Sequence, residues 1–305
     1  MRVPRPRLPR MIRFVIHEPS TPASVEVLAK RPDTGIDFAT DWARKPAARA
    51  VRRLVQETVM EPVVAVMLRP RLENTDRLLG LDEAEAVIFA ANHSSHADTP
   101  LLLRTLPKPW RDHLFVGAAA DYFFPNRFAG AASSLLLNAI PIERSKVTRR
   151  SALEAARLIE AGWSMVIYPE GGRSPDGWGQ RFRGGAAFLS NRTGAPVVPI
   201  HVSGTDKVLP KGKRWPTPGR ATVSFGEPIR PRPEEDSRSL SARIEKAVAT
   251  LADEGATDWW QARRRVHAGT TPARTGPDHG TWRRSWALGA DAARARSDKT
   301  RWPKR

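Results

Sequence analysis

The sequence contains no cysteine among its 305 residues. Disulfide bonds, a thiolate nucleophile and Cys-ligated zinc are therefore excluded. The sequence also lacks the run of roughly 20 apolar residues that a membrane-spanning helix needs, because its longest uncharged run covers only 128–142 and the apolar run 63–68 is shorter still. Charge interrupts the apolar start of the chain at Arg13, so no secretory signal is predicted. Any membrane contact is expected to be peripheral.

Acidic residues are scarce relative to basic ones. The chain has 50 Lys and Arg against 32 Asp and Glu, which gives a net charge of +18. The excess lies at the ends, where residues 1–31 carry seven basic side chains against two acids and residues 256–305 carry twelve against four. A charge of this size favours a partner with a negative surface, either anionic lipid or nucleic acid. Charge alone does not choose between them.

Composition and periodicity divide the chain into four parts. Pro62 is expected to kink or divide the helical pattern of residues 41–80. A short strand is predicted at 14–16, within the arm of residues 1–40. In chain order, the parts are a poorly ordered basic arm (1–40), an amphipathic helical segment (41–80), an α/β domain (81–255) and a basic Trp/Arg-rich tail without a core-forming period (256–305).

Between residues 81 and 255, short apolar segments alternate with helical patterns. This alternation is typical of a layered α/β domain, with a sheet flanked by helices. Strands are predicted at 86–91, 114–119, 165–168, 197–202 and 222–225. Helices are predicted at 100–105, from 126 onwards, and at 148–161, 185–192 and 239–254.

A polar block, Asn92-His93-Ser94-Ser95-His96-Ala97-Asp98, follows the predicted strand 86–91 directly. An imidazole can take a proton from an attacking hydroxyl near neutral pH, and a carboxylate bonded to its other nitrogen fixes the tautomer. His93 and Asp98 would suit these roles if the chain turns between them. Such residues also occur as helix caps and surface groups. A metal site of His93, His96 and Asp98 is disfavoured, because three ligands would crowd one turn without a second shell.

A second block, Val166-Ile167-Tyr168-Pro169-Glu170-Gly171-Gly172-Arg173-Ser174, ends another apolar strand in a glycine turn. Glycines let backbone amides approach an anion, and the Arg173 guanidinium matches phosphate oxygens. The alternative is an ordinary strand exit with a solvated arginine.

Two weaker blocks are Ile140-Pro141-Ile142-Glu143-Arg144-Ser145 and Ala195-Pro196-Val197-Val198-Pro199-Ile200. The first is also compatible with a surface salt bridge of Arg144, and the second with an edge strand.

These four blocks, in this order, resemble the glycerolipid acyltransferase family typified by 1-acylglycerol-3-phosphate acyltransferase, over about residues 85–230. The resemblance implies a glycerol-3-phosphate acyltransferase-like fold with His93 as general base and Asp98 as its partner. It assigns Arg144, Glu170 and Arg173 to the acceptor, with the turn of Gly171 and Gly172 beside its phosphate. Gly172 replaces the threonine usual in the family, and His96 falls at a variable position.

The resemblance implies transfer of a fatty acyl group from acyl-CoA or acyl-ACP, without a cofactor. The expected acceptor is a lysophospholipid hydroxyl, above all that of 1-acyl-sn-glycerol-3-phosphate, or else another lipid or glycolipid. Without cysteine or a nucleophile-elbow serine, direct attack by the acceptor is expected.

The expected location is the cytoplasmic face of the cell membrane, reached through the helical segment or the tail. A nucleic-acid binder without catalysis is the competing class, but it leaves the four blocks unexplained. A catalytically inactive lipid binder is a third possibility.

Overall fold

The fold is taken from a computed structural model that describes residues 35, 37–142, 149–174, 178–213 and 215–275. Arg144 and the strand predicted at 14–16 lie outside the described residues, as do 276–305 of the predicted tail.

The described chain is built on a seven-stranded mixed sheet, in the order β1-β7-β6-β2-β5-β3-β4. Its five strands from β6 to β4 are mutually parallel, whereas β7 runs antiparallel to β6 and parallel to β1. The predicted α/β class is therefore confirmed. The strands are β1 (Arg71–Glu73), β2 (Ile88–Ala91), β3 (Leu114–Ala119), β4 (Ala139–Ile142), β5 (Ser164–Ile167), β6 (Val197–Ser203) and β7 (Thr222–Phe225).

Helices cover both faces of the sheet. The helices are α1 (Pro46–Val55), α2 (Glu61–Leu68), α3 (Asp98–Thr105), α4 (Lys108–Asp112), α5 (Ala120–Phe123), α6 (Arg127–Leu137), α7 (Arg149–Glu160), α8 (Gly185–Thr193), α9 (Thr205–Val208), α10 (Ser237–Ala256) and α11 (Trp259–Ala268). Short 3-10 helices span Asp41–Arg44 and Thr75–Leu78.

The central strand β2 is apolar throughout because both of its faces are covered. Successive side chains of a strand point to opposite faces. Phe89 accordingly packs in a core with residues of α2, α3 and α4, while Ile88 packs in a second core with residues of α7, α8 and α10. All four residues of β2 are buried. A continuous apolar run of this kind is what a parallel strand between two helical layers requires.

Pro62 divides the amino-terminal helical segment, as expected. Residues Gln56–Met60 form a π-helical turn between α1 and α2, in which the Glu61 amide bonds the Gln56 carbonyl five residues back. Proline has no amide hydrogen to continue the regular helical ladder, so a widened turn immediately before it is a physical consequence.

The predicted tail contains a helix that the sequence analysis did not foresee. Asp258 begins α11 by accepting a hydrogen bond from the Gln261 amide, and Ala262 is fully buried. The helix packs against α10. Residues 257–268 thus belong to the folded structure, because buried Ala262 and the ion pairs of Arg263 with Glu254 and of Arg265 with Asp253 join α11 to α10.

Candidate active site

His93 lies just beyond the carboxyl end of β2, in the turn that leads into α3. Its Nδ1 is 2.9 Å from Oδ2 of Asp98, so the predicted pair is in contact. Because an ionised carboxylate is an acceptor only, Nδ1 carries the hydrogen and Nε2 carries the lone pair. Asp98 is completely buried, and the His93 side chain retains 15% of its accessible surface. The pair therefore presents one oriented, partly accessible imidazole.

The chain turns between the two residues because Asp98 also binds the backbone of the turn. The same Oδ2 accepts hydrogen bonds from the amides of Ser94 at 2.8 Å and Ser95 at 2.9 Å. Oδ1 accepts the Thr205 hydroxyl at 2.5 Å. Asp98 is the first residue of α3, where the amino end of a helix favours negative charge. Both carboxylate oxygens are therefore occupied, and the position of the carboxylate is defined from two sides.

Two residues that the sequence analysis did not assign also hold this turn. The side-chain amide of Asn92 donates to the Val202 carbonyl at 2.8 Å and accepts from the Val202 amide at 2.6 Å, which ties the start of the turn to β6. The ring of Tyr168 stacks on His93 with centroids 4.1 Å apart. Burial, and then the charge of Asp98, raises the pKa of Tyr168 well above its ordinary value, so the phenol is neutral. Its hydroxyl is 2.9 Å from Oγ1 of Thr99.

Glu170 contacts the backbone of the turn that carries His93. It is buried behind the His93 turn, where its carboxylate accepts hydrogen bonds from the amides of His93 at 3.3 Å and Gln180 at 3.1 Å. Arg274 forms an ion pair with it at 3.2 Å. Burial raises its pKa, while Arg274 and these amides act in the opposite direction. The described contacts of Glu170 are thus with the backbone of the site and with Arg274, and its contact with the acceptor stays a prediction.

A pocket that is partly open to solvent lies beside His93. Its wall is largely apolar, and polar groups are concentrated near the two motif turns. The Glu170 side chain does not line it, whereas His93, Tyr168 and Arg173 do. The apolar part of the wall includes Val116, Ala118, Phe123, Leu137, Ile142 and Ile167.

The glycine turn brings Arg173 into the wall of the same pocket as His93, together with Gly171 and Gly172. Gly171 adopts a φ of +72°, which favours glycine, and a Cβ there would lie 2.8 Å from Nε of Arg183. Arg183 is therefore packed over the turn, and it too lines the pocket. The sequence analysis gave Arg183 no role.

His96, considered a variable bystander from the sequence, also lines the pocket and stacks on Tyr122 with centroids 4.8 Å apart. Within the described ranges, no group of three or more His, Asp or Glu side chains is arranged to hold a metal ion.

Residues 69–203 match the family model described as Acyltransferase. The family resemblance drawn from the four blocks is thus confirmed for the segment that contains β2 to β6 and the His93 turn. This segment is therefore similar to an acyltransferase domain.

The relatives are 1-acyl-sn-glycerol-3-phosphate acyltransferases. The chloroplastic protein of Brassica napus is 31% identical over 129 residues, which are 41% of this chain and 35% of that protein. The protein of Chlamydomonas reinhardtii is 30% identical over 169 residues, 54% of this chain and 48% of that protein. Human 1-acyl-sn-glycerol-3-phosphate acyltransferase beta is 26% identical over 49% of this chain and 52% of its own. The chain thus spans between about a third and a half of these relatives.

The crystal structure of the 1-acyl-sn-glycerophosphate (LPA) acyltransferase PlsC from Thermotoga maritima has the same fold. The TM-score is 0.53, with 23% identity, over 68% of this chain and 82% of PlsC.

Proposed function

We propose that this protein transfers a fatty acyl group from a thioester donor to the hydroxyl of 1-acyl-sn-glycerol-3-phosphate, giving phosphatidic acid. The observation that carries the proposal is the His93–Asp98 contact in the wall of a pocket that also contains Arg173. The named activity of the relatives supports the same acceptor.

His93 acts as general base in this reaction. Its Nε2 takes the proton of the acceptor hydroxyl while the hydroxyl oxygen attacks the thioester carbonyl carbon. The carbon–sulfur bond then breaks, and the thiolate leaves with the proton returned by the imidazolium. Asp98 keeps Nδ1 protonated and stabilises the imidazolium that forms between these steps. No acyl-enzyme is needed.

Arg173 binds the acceptor phosphate. A guanidinium offers paired donors that match phosphate oxygens. Arg173 and His93 line one pocket, so a phosphate bound at Arg173 places the glycerol hydroxyl near the imidazole. The hydroxyl and the base are then held in a reactive geometry and need not meet by diffusion. The apolar wall suits a fatty acyl chain, and the second arginine of the pocket, Arg183, adds positive charge near the phosphate.

The test is acyl transfer by the purified full chain with three acceptors: lysophosphatidic acid, lysophosphatidylcholine and monoacylglycerol. We expect lysophosphatidic acid to be preferred. Arg173→Ala should raise its KM about 10- to 100-fold, since a hydrogen bond to a charged group contributes about 1.5–3 kcal/mol. Arg192→Ala, which removes an exposed arginine paired with Glu160, is the matched control. Equal KM values in wild type and Arg173→Ala would remove the phosphate role.

The donor is decided by the same assay with acyl-CoA and acyl-ACP in parallel arms. Both carry the acyl group as a thioester, so the chemistry at His93 is common to them. A variant that loses activity with both donors marks the shared reaction centre, whereas a selective loss marks contacts to one carrier.

The protein works at a membrane surface, which it meets with the helical segment that contains α1 and α2. No described helix is long and apolar enough to span a bilayer. Five apolar side chains along this segment are each about half exposed or more: Val51, Leu54, Val59, Val63 and Val66. The π-helical turn adds one residue between Leu54 and Val59, which keeps residues five apart on one side of the helix. An exposed apolar stripe flanked by arginines suits the interface of an anionic bilayer.

Liposome flotation tests this docking surface. The double variant Val59→Asp, Val63→Asp should bind less well to vesicles that contain phosphatidylglycerol. Both introduced carboxylates would have to enter the boundary between the lipid headgroups and the acyl chains, where a charge is unfavourable. Leu79→Asp, at an exposed apolar residue outside the stripe, is the control. Trp260→Asp, at an exposed tryptophan of α11, measures how much that helix contributes to vesicle binding. Unchanged flotation of the double variant would contradict the assignment of the stripe.

A further inference from the structure

The chain returns to the active site after α11, beyond the segment that matches the family model. The family match ends at residue 203. Residues 269–275 follow α11, and the Gly179 amide donates to the Arg274 carbonyl at 2.8 Å. The Arg274 guanidinium donates through Nη1 to Oε1 of Glu170 at 3.2 Å. Arg274 keeps only 18% of its side-chain surface exposed.

We propose that Arg274 is a positioning residue for the acyl transfer: it holds Glu170, and through Glu170 the backbone of His93. The inference rests on the proposed function of His93 as general base. It assigns to the carboxyl-terminal segment a part in completing the site, although Arg274 neither touches the acceptor nor reacts.

Glu170 is the connecting group. Its Oε1 accepts from both the Arg274 guanidinium and the His93 amide, and its Oε2 accepts from the Gln180 amide. The Glu170 side chain is completely buried. A buried carboxylate is costly unless it is paired and hydrogen-bonded. Removing the arginine would leave the negative charge with amide donors alone, and the carboxylate would relax toward water or take up a proton.

Either response would move the amide of His93, because that amide shares Oε1 with Arg274. The consequence concerns the imidazole directly. Asp98 fixes the ring through Nδ1, but the distance between Nε2 and the acceptor hydroxyl also depends on where the backbone of the turn lies. A displacement of about 1 Å at a reacting group costs up to about 100-fold in rate.

Gly179 provides the space in which Arg274 packs. A Cβ at position 179 would lie 3.0 Å from both Cζ and Nη2 of Arg274. Glycine at this position therefore allows the backbone contact and the guanidinium contact to form together. This close approach gives a second way to perturb the ion pair, one that leaves both of its charges in place.

The experiment compares Arg274→Gln, Arg274→Lys and Gly179→Ala with Arg264→Gln, a control that removes one charge from an exposed position of α11. Arg274→Gln should lower kcat about 10- to 100-fold and leave the KM for lysophosphatidic acid within about twofold. Arg274→Lys should recover most of kcat because it restores the cation. Gly179→Ala should lower kcat in the same direction but less, and Arg264→Gln should match wild type.

Hydrogen–deuterium exchange of the full chain gives a readout that needs no turnover. Peptides that cover 92–96 and 179–182 should exchange faster in Arg274→Gln than in wild type or Arg264→Gln. If wild type acylates none of the acceptors, the proposed function fails while the exchange result still decides the Arg274 contact. Unchanged exchange overturns the inference. So does a rise in acceptor KM at constant kcat, because Arg274 would then bind substrate rather than position the turn.

Discussion

Replacement of Asp98 by asparagine separates the charge of the carboxylate from its part in folding. Oδ2 faces three donors, namely His93 Nδ1 and the amides of Ser94 and Ser95, whereas Oδ1 faces the Thr205 hydroxyl, which is able to accept as well as donate. In Asp98→Asn the amide oxygen should therefore turn toward the three donors and the NH₂ group toward Thr205. Nδ1 stays protonated, so the tautomer is preserved and only the negative charge is lost.

The size of the effect follows from that charge. An imidazolium and a carboxylate about 4 Å apart between charge centres interact by ~4 kcal/mol at an effective dielectric constant of about 20. Since about 1.4 kcal/mol corresponds to a factor of ten, kcat should fall on the order of 1000-fold. The assay is acyl transfer to lysophosphatidic acid at saturating acceptor, with thermal unfolding measured alongside. Asp98→Ala is the contrasting variant, because it leaves the amides of Ser94 and Ser95 without an acceptor. The loss should destabilise the fold by about 1–3 kcal/mol for each amide.

The reasoning is refuted if Asp98→Asn keeps more than about a tenth of wild-type kcat while its melting temperature is unchanged. Such a result would mean that no positive charge develops on His93 in the rate-limiting step.

Two further predictions concern the glycine turn of Gly171 and Gly172 and the pH dependence of stability. A Cβ at Gly172 meets no atom within 4 Å, so Gly172→Thr should fold normally. The added hydroxyl should lower the KM for lysophosphatidic acid about 2- to 10-fold, since one hydrogen bond contributes about 0.5–1.5 kcal/mol. The KM for monoacylglycerol should not change, and equal shifts for both acceptors would contradict a phosphate beside the turn. Burial and the nearby Arg274 lower the pKa of His201 from 6.5 to about 3. Between these two pH values His201 is protonated in the unfolded chain and neutral in the folded chain, so the free energy of unfolding decreases as the pH falls from 6.5 toward 3, by at most about 1.4 kcal/mol per pH unit. Denaturant unfolding at pH 7, 5 and 4 should show a smaller decrease for His201→Gln than for wild type. Equal decreases in the two proteins would contradict the assignment to His201.

The sheet was predictable from the sequence where strands are buried on both faces. The segments predicted at 114–119 and 222–225 coincide with β3 and β7, because the first is a continuous apolar run and the second alternates apolar and hydroxyl-bearing residues. The strand β1 was missed, since its three residues lie at the edge of the sheet and two of them, Arg71 and Glu73, are charged. A short edge strand carries no pattern of its own.

The site was predictable where its contacts are local. His93 and Asp98 are five residues apart, and one turn decides whether they meet. The contacts of Glu170 with Arg274 and with the backbone of the site were not predictable, because residue type does not reveal which face of a turn a side chain occupies. Its partner Arg274 is 104 residues away along the chain and has no periodic signal around it, so only the folded chain identifies the contact.

The most direct test of the account is acyl transfer from an acyl thioester to lysophosphatidic acid by the full chain, wild type against His93→Ala, at matched melting temperature. Because general-base catalysis contributes about 100- to 10,000-fold, the variant should form phosphatidic acid at least about 100-fold more slowly, with little change in acceptor KM. Equal rates of product formation by the two proteins would contradict the assignment of His93 as the base.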